Sequence, residues 1–253
     1  MISDVIKLYL SDFVMQILHN DALKFEFIKQ GNEPNINALL NKLIPNLLYY
    51  RKLRREEIHT ILESEFVRFD AEKIYECVNT VIDRVYFTDE ELERLENVVW
   101  FRPSKKKQAP FDEIEDSEIK ITKQSAAAYI RSLLNEYVRF PQYKRERIAF
   151  DDELFDFGTA CETGKIFHAR VNGKSIRMFA FHYVYEFTYD QGNYLIGYNL
   201  TNRTIAALPL YKIRESYVVE RKYKPSERLI SKLQEYYENK DYDEFVSFEE
   251  DLC

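Results

Sequence analysis

Glycine is scarce in this sequence, six residues in 253, and proline is hardly commoner at seven. That argues against a glycine-rich nucleotide-binding enzyme and against a low-complexity chain. Cysteine is scarcer still. Cys77, Cys161 and Cys253 stand far apart, so they suggest neither a disulfide framework nor a paired set of metal ligands. No apolar run reaches the ~18–20 residues of a membrane span. The first seven residues, Met1 to Lys7, lack a charged head followed by an apolar stretch. The expectation is a cytoplasmic protein of a reducing compartment with no membrane partner. The motifs HExxH, GxSxG, GxGxxG and the P-loop are also missing. His19, His59, His168 and His182 are scattered, and the acid pairs Glu56-Glu57 and Glu90-Glu91 fall on expected exposed helix faces. Without a shaped pocket such acids are ordinary surface, so no catalytic residue, cofactor or metal is expected.

What the sequence has is apolar and aromatic material. Hydrophobic residues make up 45% and aromatic residues 15%, with 19 Tyr and 18 Phe, which is ample for packed cores. The net charge of −7 conceals its distribution. Residues 120–147 carry seven basic side chains against two acidic, and residues 165–224 carry ten against four. Acid gathers in 51–100, net −5, and in 225–253, net −6. A cation-rich middle can bind a polyanion despite a negative total, because phosphate responds to the local field.

Alternation over Ile6, Leu8 and Leu10, with Lys7 and Tyr9 between, predicts a short half-buried strand. Ser11-Asp12 opens a helix with apolar spacing Phe13, Ile17, Leu18 and Phe25. Asn35 caps the next, whose buried face is Leu39, Leu40, Leu43, Leu47 and Leu48, with Pro45 requiring a kink or local rearrangement. Further helices are expected over about Arg54–Phe66 and Asp70–Val85, and a third is opened by the capping box at Thr88. The pattern then returns: a strand over Val98–Arg102, a short helix over 110–118 and one capped by Ser125. Strand–helix–helix thus occurs twice, about 93 residues apart. This pattern resembles ribbon-helix-helix proteins, in which paired strands enter the DNA major groove. The outward residues would be Lys7, Tyr9, Trp100 and Arg102. The two copies would pair within one chain, or between two chains as a homodimer. Helix, proline and basic run over Phe140–Arg147 then read as an interdomain connector.

From about Lys165 short strands follow at hairpin spacing. Asn172-Gly173, Asp190–Asn193 and Thr201–Arg203 mark turns, and a small barrel or strongly curved sheet is expected. Its cations, Arg170, Lys174, Arg177, Arg203, Lys212 and Arg214, interleave with tyrosines 183, 185, 189, 194 and 198. Cations take phosphates and exposed rings stack on unpaired bases, with Tyr194 the stacking candidate. A helix over about Ser226–Glu238 precedes an acidic end.

The run Gly192-Asn193-Tyr194-Leu195-Ile196-Gly197-Tyr198, with Leu210-Tyr211-Lys212-Ile213-Arg214 about sixteen residues on, resembles a WYL domain over about 165–223. Asn193 stands where that family has Trp. Lys212-Ile213 stands for its Arg-Ile, and Ala206 and Pro209 occupy positions where it often has Arg. The resemblance implies an Sm- or SH3-like barrel. The expected fold class is therefore α+β: a ribbon-helix-helix-like helical half (1–150), a WYL-like barrel (151–225) and a C-terminal helix with an acidic tail (226–253). The combination resembles the WYL accessory proteins of type VI-D CRISPR systems. That implies a non-enzymatic binder of single-stranded RNA (or DNA) that modulates a CRISPR effector nuclease. Two alternatives stay open: a WYL-type DNA-binding transcription regulator, and a protein-interaction module that binds no nucleic acid.

Overall fold

A computed structural model describes residues 5–65, 97–104, 126–185, 192–239 and 246–248, the side chains of 52–65 and of Tyr185 excepted. The helices expected at 70–85, 88–95 and 110–118, the Ser125 cap, the turn at 190–191, Tyr189, Cys77 and Cys253 lie outside these residues. The protein mixes helices with antiparallel sheets. It divides into two compact units, Met1–Pro141 and Gln142–Cys253.

The first unit is built on a two-stranded ribbon. Strand β1 (Ile6–Leu10) pairs antiparallel with β2 (Asn97–Phe101), Ile6 opposite Phe101 and Lys7 opposite Trp100. Alternation decides its two faces, as expected. Ile6, Leu8, Leu10 and Phe101 are buried, while Lys7, Tyr9, Val98 and Trp100 face outward. Helix α1 (Asp12–Lys24) starts on the Ser11 side chain, which accepts from the Val14 N–H. Its inward face is Val14, Leu18, Asp21 and Ala22. The expected face through Phe13 is therefore corrected: Phe13 is exposed, one position out of register with the buried stripe.

Helix α2 (Ile36–Glu65) is also longer than expected. Asn35 caps it through the Ala38 N–H. It carries Pro45 and continues past Arg54, where a separate helix was expected to begin. No glycine or proline lies between Pro45 and Glu65 to stop it. Asn37 and Asn41, one turn apart, hold the chain leaving β2. Asn37 Oδ1 accepts from the Arg102 N–H at 2.8 Å, and Asn41 Oδ1 from the Ser104 N–H at 2.6 Å. Asn41 Nδ2 also donates to the Arg102 carbonyl at 2.9 Å. Helix α3 (Ala126–Tyr137) packs against β1 and α2. The buried Tyr137 hydroxyl donates to Asp21 Oδ2 at 2.7 Å, and buried Arg51 of α2 reaches Ser132 Oγ at 3.0 Å. Tyr137→Phe removes a donor from a buried carboxylate. It is expected to cost about 1–3 kcal/mol in urea unfolding.

The second unit opens with two helices where the sequence reading has a connector and a domain break at 150: α4 (Gln142–Ala149) and α5 (Asp151–Thr163). Acidic Asp151, Asp152 and Glu153 begin α5, and Gly164, left-handed at φ 66°, ends it. The sheet follows: β3 (Lys165–Val171), β4 (Lys174–Tyr185), β5 (Asn193–Asn199), β6 (Thr204–Pro209), β7 (Ile213–Lys222) and β8 (Val246–Ser247). All neighbours are antiparallel, in the order β7-β3-β4-β5-β6-β8. Asn172 and Gly173 form the β3–β4 turn, both at positive φ (50° and 76°), as a tight primed hairpin requires. One turn of 3-10 helix, Leu210–Lys212, precedes β7, which returns to pair with β3. Of the two forms expected, barrel closure is not seen: among the described residues no ladder joins β6 or β8 to β7, and the sheet is open.

Each sheet face has its own cover. Phe167, Ala169 and Met178 are buried on the α5 side, where the Phe157 ring meets that of Phe167 at 5.3 Å. Helix α6 (Glu227–Asn239) places Leu229, Leu233 and Tyr236 on the other face, against Phe179, Ile196, Tyr198, Ile205 and Ala207. The Tyr236 hydroxyl accepts the Ala207 N–H and β8 pairs with the start of β6, which protects that edge.

Candidate nucleic-acid interface

The β3–β4 hairpin fixes one group of side chains by register. His168 lies opposite Arg177, and Arg170 opposite Ser175. On the other side His168 lies opposite Tyr217 of β7. Paired residues share a face. One row across three strands is therefore Arg177, His168, Tyr217, with Ser175 and Arg170 in the next row. This is the face that α6 covers farther along, at Phe179. Arg170, Ser175, Arg177 and Tyr217 are exposed, and Tyr217 shows 51% of its surface.

The centre of the group is ordered. The His168 ring stacks on that of Tyr217, centroids 4.3 Å apart and planes 26° apart. His168 Nε2 lies 2.6 Å from Ser175 Oγ, while Nδ1 is shielded from solvent and has no hydrogen-bond partner. Burial lowers the His168 pKa below its ordinary value, and the charges of Arg177 and Arg170 lower it further. Arg170 meets Glu215 at 2.9 Å with both side chains well exposed. Such a pair contributes little and yields to a stronger anion. No carboxylate pairs with Arg177 among the described residues.

The expected cations divide. Arg170 and Arg177 come together on this face, and Lys174 is exposed at its turn. Arg203, also exposed, lies in the β5–β6 turn, whose Leu200 N–H donates to the Arg177 carbonyl at 2.8 Å. Lys212 is half-buried with its ammonium over the Tyr211 ring. Arg214 turns inward: Nη1 donates to the Tyr211 and Ile213 carbonyls, and the guanidinium lies over the Phe150 ring at 5.3 Å. Tyr194 is half-buried against the α6 cluster rather than open for stacking. Tyr183 donates to Asn193 Oδ1, and Tyr198 is core. His168, Ser175 and Tyr217 escape the sequence reading. Their signal is the alternation His168–Arg170 and Ser175–Arg177, informative only once β7 is known to lie beside β3.

The first unit carries a second exposed group. Trp100 is 61% and Tyr9 41% exposed, with Lys7 Nζ 4.8 Å from the Tyr9 ring centroid and 5.3 Å from that of Trp100. Arg102 is exposed just beyond β2, its backbone held by Asn37 and Asn41.

Behind β5 sits a buried polar hub. Glu146 of α4 accepts from the Asn193 N–H at 2.9 Å and from Asn193 Nδ2 at 2.6 Å through Oε2, and from the Tyr211 N–H at 3.1 Å through Oε1. Asn193 Nδ2 also donates to the Tyr143 carbonyl at 2.9 Å. Glu146 and Asn193 are both buried. The two units divide within Phe140–Arg147, between Pro141 and Gln142, but Gln142–Arg147 are helix rather than linker, and this helix anchors the sheet. Gly192 packs closely beside it: a Cβ there would lie 2.7 Å from Glu146 Oε2, so the carboxylate would have to shift from its hydrogen-bonded place.

Other chemistry is sparse among the described residues. No group of His, Cys, Asp and Glu could hold a metal ion, and no helix is long and apolar enough to cross a membrane. Burial, and then the charge of Glu162, push the Cys161 thiol up to about 12, so it stays protonated at neutral pH.

No protein-family model and no curated protein matches this chain. Among solved structures it is similar to the crystal structure of a CRISPR Cas-related protein, with a TM-score of 0.59 and 15% identity over 91% of this chain. The match covers 66% of that protein, so this chain spans slightly under two thirds of its length. At that identity the likeness is one of fold: a two-unit α+β chain with the fold of a CRISPR Cas-related protein.

Proposed function

We propose that this chain is a non-enzymatic, cytoplasmic accessory protein that binds single-stranded RNA through the β3–β4–β7 face and modulates an RNA-guided CRISPR nuclease, as in type VI-D systems. The observation that carries the reading is a face, uncovered among the described residues, on which Arg170 and Arg177 adjoin exposed Tyr217 stacked on His168, with Lys174 exposed at the neighbouring turn. Cations with an exposed ring suit an unpaired strand, whose bases are free to stack. The fold likeness to a CRISPR Cas-related protein supports the setting. The WYL assignment draws on the strand order, in which the last long strand follows a 3-10 turn and pairs with the first, as in Sm- and SH3-like sheets.

The test is binding of matched single-stranded RNA, single-stranded DNA and duplex DNA across a salt series. RNA should bind at about 50 mM salt and weaken steeply as salt rises. Arg170→Ala with Arg177→Ala should flatten the log–log slope by about 1.4, two single-strand contacts' worth. Absence of binding at low salt would leave the protein-interaction reading in its place. A second reading has its own observation. The outward Lys7, Tyr9, Trp100 and Arg102 of the ribbon suit a major groove, as in a ribbon-helix-helix regulator. Preference for duplex DNA, lost on Lys7→Ala with Arg102→Ala, would promote it.

A further inference from the structure

We propose that Tyr217 is the base-stacking platform of the second unit, that Arg177 and Arg170 hold the flanking phosphates, and that His168 couples strand binding to proton uptake. The proposal deepens the RNA-binding reading and rests on it. It moves the stacking role away from Tyr194 and adds two residues, His168 and Tyr217, to the cations already considered.

The argument begins with what α6 covers. Its buried residues occupy the sheet face over β4, β5 and β6, and Tyr194 packs partly against them. At the His168–Arg170 end of β3 the same face lacks that cover among the described residues, and there Tyr217 stands half exposed on an edge strand. A tyrosine free on both sides would lose side-chain freedom on meeting a base. Tyr217 is already stacked on His168, and His168 is held to Ser175 at 2.6 Å. The platform is therefore ordered before the strand arrives, which lowers the cost of binding.

The charges are placed for phosphate. Arg177 and Tyr217 flank His168 across the strands, and Arg170 follows His168 along β3. Neighbouring strands lie ~4.8 Å apart, so Arg177 and Tyr217 stand about 10 Å from one another at the backbone. A base on Tyr217 thus leaves its neighbouring phosphates over the arginines. Glu215 is the acid facing this group, paired with exposed Arg170. A polyanion displaces it at little cost.

His168 supplies the coupling. The charged groups facing it are Arg170 from its own strand, Arg177 from β4 and, through Arg170, Glu215 from β7; Ser175 and Tyr217 contact it as neutral groups. In the free protein the two arginines disfavour a third positive charge, and burial disfavours it more. Phosphates over the arginines reverse the balance. Strand binding then takes up a proton, and by linkage affinity rises as pH falls through the interval between the free and bound pKa of His168. Above the bound value, and below the free value, affinity is flat with pH. Nδ1, shielded and without a partner, acts through its charge rather than by touching phosphate.

The experiment uses the full chain and labelled oligouridine RNA, followed by fluorescence anisotropy between pH 5.5 and 8 at fixed low salt. Affinity should rise toward acid pH by at most about tenfold per unit within the interval. His168→Gln should remove that slope while keeping binding at pH 8. Tyr217→Ala should weaken binding roughly tenfold at every pH, and Tyr217→Phe should restore it. A readout on the unmutated protein avoids reliance on folding: photocrosslinking through 5-iodouridine should attach RNA at Tyr217. Crosslinks confined to Tyr194 or to the ribbon, or a pH slope that His168→Gln leaves intact, would overturn the proposal while RNA binding itself stood. Failure of the unmutated chain to bind oligouridine at any pH would overturn both.

Discussion

Gly197→Ala is expected to destabilise the second unit by about 3 kcal/mol or more, with the loss visible as a lower urea midpoint. An alanine at an ordinary backbone position usually stabilises by about 0.4–1 kcal/mol, because it restricts the unfolded chain. Here the clash decides the sign. A Cβ on Gly197 would lie 2.3 Å from the Phe179 carbonyl oxygen and 2.6 Å from the Met178 Cγ and Sδ. The first of these is backbone in the adjacent ladder and cannot turn aside. Gly197 sits mid-strand in β5, paired with Ala180 on one side and Ala206 on the other, so relief requires moving a strand bonded on both edges. Overpacking of this kind costs about 1–3 kcal/mol where side chains can adjust, and more where backbone must move. A loss below about 1 kcal/mol would show that β4 and β5 separate easily.

Glu146→Ala should be comparably severe, on the order of 3–5 kcal/mol. The carboxylate is the shared acceptor for three donors, two from Asn193 and one from Tyr211. Removing it leaves those donors facing a cavity, and each stranded donor costs about 1–3 kcal/mol. Glu146→Gln should cost less, since its carbonyl still accepts, but not nothing, since its amide then faces a donor. Gly192→Ala offers an independent check, because its added methyl meets the same carboxylate. Its effect should shrink in a Glu146→Ala background, as coupled neighbours are non-additive. Additive losses would show that Glu146 and Gly192 act separately. Neither substitution touches the His168–Tyr217 face. RNA affinity measured on the folded fraction should therefore be unchanged.

The hub also explains a buried polar residue. Asn193 donates to Glu146 and to the Tyr143 carbonyl and accepts from the Tyr183 hydroxyl. A buried asparagine is tolerable only when its amide is satisfied in this way. Its meaning was illegible in the sequence because its partners lie 47 residues back in Glu146 and 10 residues back in Tyr183. Helix α5 was more legible than its omission suggests: three acids open it and Gly164 closes it. Its apolar positions, Leu154, Phe155 and Phe157, do not form one clean stripe, and Phe155 is 73% exposed.

Local chemistry alone determined much of the fold. Ser11 and Asn35 cap the helices they precede because their side chains reach a backbone N–H three residues on. Asn172-Gly173 turns the chain because both residues accept positive φ. Period-two alternation placed Leu8 and Phe101 inward and Lys7 and Trp100 outward before any partner strand was known. Alternation assigns side chains to two faces, but it cannot say what covers either face. Tertiary structure decided that α6 lies over the Tyr194 end and, among the described residues, leaves Arg177 and Tyr217 at the other end exposed. It also turned Arg214 back onto the Tyr211 and Ile213 carbonyls and the Phe150 ring, while Arg177 stayed exposed. The physical reason is range: capping, turns and alternation act over two to four residues, whereas cover and polar pairing depend on segments brought together from across the chain.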